Sequence, residues 1–394
     1  MFSTSIARQL SLAVLGLGSL AATVAAGPPD KPAPTPPQKG VGINIANIDP
    51  SVKPCEDFFH YASGNWLKNN PIPPAESRWG SFNELADHNN ATLRAILNDA
   101  AKNAAKAPKG SNMQKVGDFY ASAMDSAAIE TAGLKYLQPH LTRIAAIKDL
   151  DGMQRFLADP KAHAGSVWYG SYVGQDEKIS TQYAVQMGQG GLSLPDRDYY
   201  LKDDARSKAI RAAYDTYLVN TFKMLGDAES VARTNAAIVQ RIETRLAKAS
   251  KARVDLRDPY ANYHKMTLAE ANAAYPNLAL PLVLKENGLG AAKEVIVGQP
   301  DFLKEVSAML KDEPIADQQQ YLRFHLVSSV TAALPKAFGD EAFRQRLSQK
   351  SGLDRPRVDE LLRLVNFART APVVNDRELA TLSRALNDFK REAR

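Results

Sequence analysis

With a single cysteine, Cys55, in 394 residues, the chain can form neither a C-x-x-C redox pair nor a cysteine-based zinc knuckle. Its six histidines, at positions 60, 88, 140, 163, 264 and 325, never fall four residues apart. An H-E-x-x-H helix presenting two imidazoles from one face is therefore excluded. No G-x-x-x-x-G-K-[ST] phosphate loop and no G-x-S-x-G nucleophile elbow occurs either. The residues by themselves thus mark no catalytic side chain and no metal ligand. A net charge of +6 could suggest a nucleic-acid partner, but Lys and Arg are interspersed with Asp and Glu from the first helical segment to the last. Without a basic stripe the charge reads as a mixed, solvated surface, and no nucleic-acid partner is expected.

What is present is a globular composition: 44% apolar and 23% charged residues, enough chain for one large or two ordinary packed domains. At the N-terminus Arg8 precedes an apolar stretch from Leu10 to Val24, and small residues at Val24 and Ala26 fit the export cleavage rule. These features predict a signal peptide over residues 1–26, a mature start at Gly27, and a periplasmic or extracellular location. A retained anchor is the alternative. It is disfavoured because the run falls short of the ~20 residues a bilayer span needs and contains Gly16 and Gly18. No membrane span is then expected after cleavage. Residues 27–48 are read as a proline-rich linker, with PPDKPAPTPPQK at 28–39 unable to support a ladder of backbone hydrogen bonds. In an exported chain the lone Cys55 implies a disulfide partner elsewhere, a free thiol, or simply a small residue retained by chance.

The mature chain patterns as mainly helical. Ile210, Tyr214, Tyr217, Leu218, Phe222 and Leu225 recur at three- and four-residue intervals over 205–225, ahead of Gly226. Val231, Ile238, Ile242 and Leu246 repeat the pattern over 228–250, and Leu322, Leu326, Val330 and Leu334 do so over 321–334. The runs 166–174 and 179–188, aromatic and β-branched and joined by polar QDEK, predict a hairpin. The expected fold class is therefore mainly α with a small β-hairpin or sheet, without an internal repeat of fixed period.

Two segments carry more. Residues 49–85 read DPSVKPCEDFFHYASGNWLKNNPIPPAESRWGSFNEL, and residues 192–201 read LSLPDRDYYL. Together they resemble the N-terminal half of the M13 peptidases, the family of neprilysin, endothelin-converting enzyme and bacterial oligopeptidase O. Weaker similarity continues through YHKMTLAE (263–270), VIVGQPDFLKEV (295–306) and QYLRFHLVSSVTAALPKAF (320–338). The resemblance implies a helical, substrate-capping domain over 49–343, followed by a divergent helical tail over 344–394 with stripes such as Leu379, Leu382, Leu386 and Phe389. Physically, Pro54, Glu56 and Asp57 suit the start of a helix, Phe58, Phe59 and Tyr61 would be buried, Gly64 would end that helix, and Trp66 would anchor its exit. For Leu194 to Tyr200 the expectation is a fixed loop whose tyrosines pack inward with bonded hydroxyls.

The resemblance also implies a function: an exported zinc metalloendopeptidase that cleaves small peptides. In the family, the arginine of R-[YW]-G-x-F pairs with the free carboxylate of a short peptide and the phenylalanine lines the same subsite. These positions fall on Arg78 and Phe82, and a guanidinium suits the task because its planar donors engage a carboxylate bidentately. Against that stands a surface arginine paired with Glu76 or Glu84. Asn83 and Ala86 depart from an acid and a second arginine found in some members. The family's zinc ligands and its water-activating glutamate match nothing here, so no cofactor is expected in this chain, although full-length members carry zinc. The expectation is accordingly a chain without the catalytic half, truncated or frame-disrupted and inactive alone. A non-catalytic, extracytoplasmic peptide- or partner-binding module is the alternative. In family members the cysteine matching Cys55 can be bridged to one near the far C-terminus, which implies a partner outside this sequence.

Overall fold

A computed structural model describes residues 42–72, 79–162, 167–352, 355–356 and 358–359. The signal peptide, most of the linker and the helical stripes expected beyond residue 359 lie outside these residues. The chain divides into two compact units, the first ending at Met124 and the second beginning at Asp125.

In the first unit, a single helical turn at Ile45–Asn47 leads to α1, Phe58–Asn69. Asp57 caps α1 by accepting the His60 N–H at 3.0 Å, so the acidic start expected from the sequence is present as a cap. That hydrogen bond holds the Asp57 carboxyl below its ordinary range. Three expectations for this helix fail. Gly64 does not end it; the helix runs five residues further, and Gly64 is buried mid-helix because a Cβ there would sit 2.7 Å from Cβ of Asp49. Trp66 lies within the helix rather than at its exit. Phe58 and Phe59, expected to be buried, are 68% and 61% exposed, since the first turn of α1 projects them away from the Asp49 side on which the helix packs. Beneath Gly64, Asp49 accepts from Ser51 N–H, Ser51 Oγ and, at 2.6 Å, the Lys68 ammonium. The Lys68 contact, followed by those from Ser51, brings the Asp49 carboxyl down to about 2.

The rest of this unit is a helical hairpin of α2, Ser81–Asn103, and α3, Asn112–Met124. Their crossing needs Gly117, where a Cβ would fall 2.3 Å from the Ala100 carbonyl oxygen and 2.8 Å from Cβ of Ala104. Backbone meets backbone at this point.

The second unit holds the large core. Three short helices, α4 (Ser126–Ala132), α5 (Gln138–Ala145) and α6 (Leu150–Ala158), lead into strands β1 (Tyr169–Gln175) and β2 (Tyr183–Gln189). A one-turn α7 (Asp198–Leu201) precedes the long α8 (Ala205–Met224) and α9 (Glu229–Ala249). Then come β3 (His264–Thr267), α10 (Leu268–Ala274), α11 (Leu280–Glu286), β4 (Glu294–Val297), α12 (Pro300–Asp312), α13 (Ile315–Val330) and α14 (Lys336–Ser351). The expected hairpin is present as an antiparallel β1–β2 pair with Val173 opposite Val185. It forms one side of a four-stranded sheet in the order β1-β2-β4-β3, with β2 and β4 parallel through Val185 and Val295. In the β1–β2 turn, the buried Asp176 carboxylate accepts Lys178 N–H, Ile179 N–H and the Tyr263 hydroxyl, and pairs with Lys265 of β3 at 3.2 Å. Burial alone would raise its pKa, but these donors prevail and bring it to about 2.

Helices α8, α9 and α13 pack through the stripes read from the sequence. Ile210, Tyr214, Tyr217, Leu218 and Phe222 are buried, and Phe324 lies edge-on to Tyr214 and Tyr217 with ring centres 6.1 and 5.7 Å away. The buried face of α9 is rotated from the expected stripe: Val231 is exposed, whereas Ala232, Ala236, Val239, Ile242 and Leu246 are fully buried. Helix α13 ends at Val330, so Leu334 follows a separate turn at Thr331–Ala333 and packs against the core from outside the helix. The architecture is thus mainly α with one small sheet.

Candidate functional site

The segment expected to bind peptide straddles the start of α2. Gly80 caps the helix in extended conformation and its carbonyl accepts Asn83 N–H at 2.9 Å. Phe82 is 86% exposed there. Glu84, in the same turn, accepts the Trp66 indole N–H at 3.1 Å and so ties α1 to α2. Arg78 lies outside the described residues, so the structure places Phe82 and its helical frame but not the arginine.

A second polar centre, not marked by sequence reasoning, lies in the core of the other unit. Glu243 of α9 is fully buried and receives four donors. Its Oε1 accepts Ser193 Oγ at 2.7 Å and lies 3.1 Å from His325 Nε2, and its Oε2 accepts the hydroxyls of Tyr200 and Tyr214, both at 2.8 Å. Tyr200 in turn accepts the backbone N–H groups of Ser193 and Leu194 at 3.1 and 2.9 Å. The inward tyrosine expected for the LPDRDYY run is therefore Tyr200. Tyr199 contributes its carbonyl, which accepts from Arg211 at 2.8 Å. Burial, followed by the Glu243 charge, pushes the Tyr200 and Tyr214 hydroxyls well above their ordinary range. Ser193 and Tyr214 also border a small cavity of about 120 Å³, but each group here is committed to another, so the cluster fixes a loop and four helices, α7, α8, α9 and α13, rather than performing chemistry. The sequence signal was available: Val239, Glu243, Leu246 and Ala247 share one helical face, which places a carboxylate within an apolar stripe.

The described residues do not fit a zinc ion. Among them no group of three or more His, Cys, Asp or Glu side chains stands together as ligands would have to. No helix among them is long and apolar enough to cross a membrane. Cys55 is exposed and unbridged.

A sequence model described as Peptidase family M13 matches residues 54–374, a span that takes in α1, Phe82 and the Glu243 cluster. The chain belongs to peptidase family M13. Endothelin-converting enzyme 1 of Rattus norvegicus is 30% identical over 308 residues, covering 75% of this chain and 40% of that enzyme. Neprilysin-3 of Drosophila melanogaster is 29% identical over 319 residues, again 75% of this chain and 40% of the relative. Among solved structures, the inhibitor complex of the Mycobacterium tuberculosis zinc metalloprotease Zmp1 superposes with a TM-score of 0.69 at 28% identity, covering 83% of this chain and 51% of that one. The chain therefore spans about 40% of the length of these curated relatives and corresponds to the N-terminal region of a zinc metallopeptidase. The family match ends at residue 374, within the segment expected to diverge.

Proposed function

We propose that this chain supplies the N-terminal, substrate-capping portion of an exported zinc metalloendopeptidase that cleaves small peptides. In this reading Arg78 and Phe82 form the subsite for the peptide's free carboxyl terminus. The observation that carries it is Phe82: within a chain that matches the family over residues 54–374, the R-W-G-S-F run keeps both residues, and its phenylalanine stands 86% exposed on the first turn of α2. A large aromatic held out from a rigid helix start provides an apolar wall, and a guanidinium four residues earlier would supply paired donors to a carboxylate. Phe58, Phe59, Leu85 and Phe119 of the same unit are exposed as well. Zinc and the glutamate that activates water would come from the family's catalytic portion, since these 394 residues hold no H-E-x-x-H.

The test is a chimaera in which residues 49–343 replace the corresponding region of an M13 relative. Chelator-sensitive hydrolysis of small peptides is the expected result. A chimaera that folds and binds zinc yet cleaves no member of a peptide panel would refute the assignment and favour a stand-alone binding module.

A further inference from the structure

The LPDRDYY run carries a cation that the Glu243 cluster does not use. Arg197 is half-buried in the loop before α7; its Nε is closed off from solvent and has no hydrogen-bond partner. It lines a cavity of about 300 Å³ together with Lys251 and Arg253, which follow α9. None of these three cations forms an ion pair among the described residues, and the one carboxylate lining the cavity, Asp196, already accepts the N–H of Asp198 at 2.9 Å. Leu192, Leu194 and Leu256 complete the apolar part of the wall.

This cavity is built, not incidental. The Gln189 side chain clamps the Lys251 backbone, accepting its N–H at 2.9 Å and donating to its carbonyl at 3.2 Å. The Lys251 ammonium is held by the Ala261 carbonyl and Asn262 Oδ1, at 2.9 and 3.1 Å, and both partners are neutral, so its charge stays uncompensated. On the opposite side, Gly191 adopts φ +76° where a Cβ would lie 2.5 Å from the Val167 carbonyl oxygen, so the loop carrying Leu192 to Arg197 can close down only with glycine there. Unpaired cations at a partly apolar cavity, one with a dehydrated donor, call for an oxyanion.

We infer that this cavity is a binding site for a carboxylate on a short aliphatic stem, as in a glutamyl side chain or a free dicarboxylic acid, with Arg197 as the principal donor, Lys251 and Arg253 adding charge, and the leucines packing the stem. The site lies wholly within residues 189–256 of the second unit.

Titration calorimetry on the full chain, with glutarate, N-acetyl-glutamate amide and neutral glutaramide as probes, tests the inference. Both acids should bind and compete with each other, glutaramide should bind at least about tenfold more weakly, and Arg197→Gln should cost about tenfold or more. Arg253→Gln, on an exposed side chain, should weaken binding severalfold without altering the fold, and it decides the matter if Arg197→Gln misfolds. Tighter binding of N-acetyl-glutamate amide than of glutarate assigns the site to peptide side chains; the reverse order assigns it to small dicarboxylates. Glutaramide binding as well as glutarate, inorganic phosphate outcompeting both acids, no acid binding at millimolar concentration, or unchanged affinity in Arg253→Gln would each overturn the inference.

Discussion

Removing the carboxylate of Glu243 should destabilise residues 125–352 more than any other single polar substitution in that unit. Four donors converge on this side chain with no exposure to water. Glu243→Ala leaves them facing an empty space, and breaking a buried charged network of this kind costs about 3–5 kcal/mol. Glu243→Gln keeps the volume but must place an amide N–H₂ on one side. It cannot face the tyrosines, because the Tyr200 oxygen already accepts two backbone N–H groups and has to donate. Turned the other way, the amide meets Ser193 Oγ, which can rotate to accept, and His325 Nε2, which accepts in its other tautomer. The cost should then be about 1–2 kcal/mol. Urea unfolding followed by near-ultraviolet circular dichroism, with the aromatic cluster as reporter, measures both variants against the wild type. A loss below about 1 kcal/mol for alanine, or equal losses for alanine and glutamine, would refute the claim that hydrogen-bond acceptance by Glu243 organises this core.

Two further outcomes follow from close contacts and from charge. Gly117→Ala gains about 1 kcal/mol of helix propensity but forces a Cβ against the Ala100 backbone, so hydrogen exchange in α2 and α3 should report a net destabilisation of about 1–2 kcal/mol; unchanged protection would show that the helices separate freely. The Asp176 carboxyl, at about 2 instead of its ordinary 3.8, contributes stability that is complete above pH 4 and lost as pH falls toward 2. Acid unfolding of the wild type should therefore be steeper in that window than for Asp176→Asn, and identical slopes would remove Asp176 from the account.

Much of the fold was legible because its signals are local. The stripes of α8, α9 and α13 and the β1–β2 hairpin are periodic within single windows, and the structure follows them to within a few residues. Strands β3 and β4 escaped notice because each has four residues and is defined by partners far along the chain, Lys265 opposite Ile296 and Val185 beside Val295. Gly64 misled for a related reason. Glycine usually stops a helix, but here it admits Asp49, fifteen positions earlier, and only the packed structure reveals that approach. The exposure of Phe58 and Phe59 was illegible for another reason, since composition shows that an aromatic is present but not which surface covers it. At the candidate site, Arg78 and Phe82 came from family resemblance alone. Glu243 was missed because acidic residues in a helix are ordinarily read as its solvated face.

The measurement closest to the central claim is the response of the chimaera to the carboxyl terminus of its substrate. Arg78→Ala, assayed with peptides matched except for a free or amidated C-terminus, should lose about 1.5–3 kcal/mol in kcat/KM for the free acids, the scale of a charged hydrogen bond, and little for the amides. Phe82→Ala should weaken both sets alike by removing an apolar wall. Equal losses for acids and amides in Arg78→Ala would contradict the account and make the arginine a structural residue.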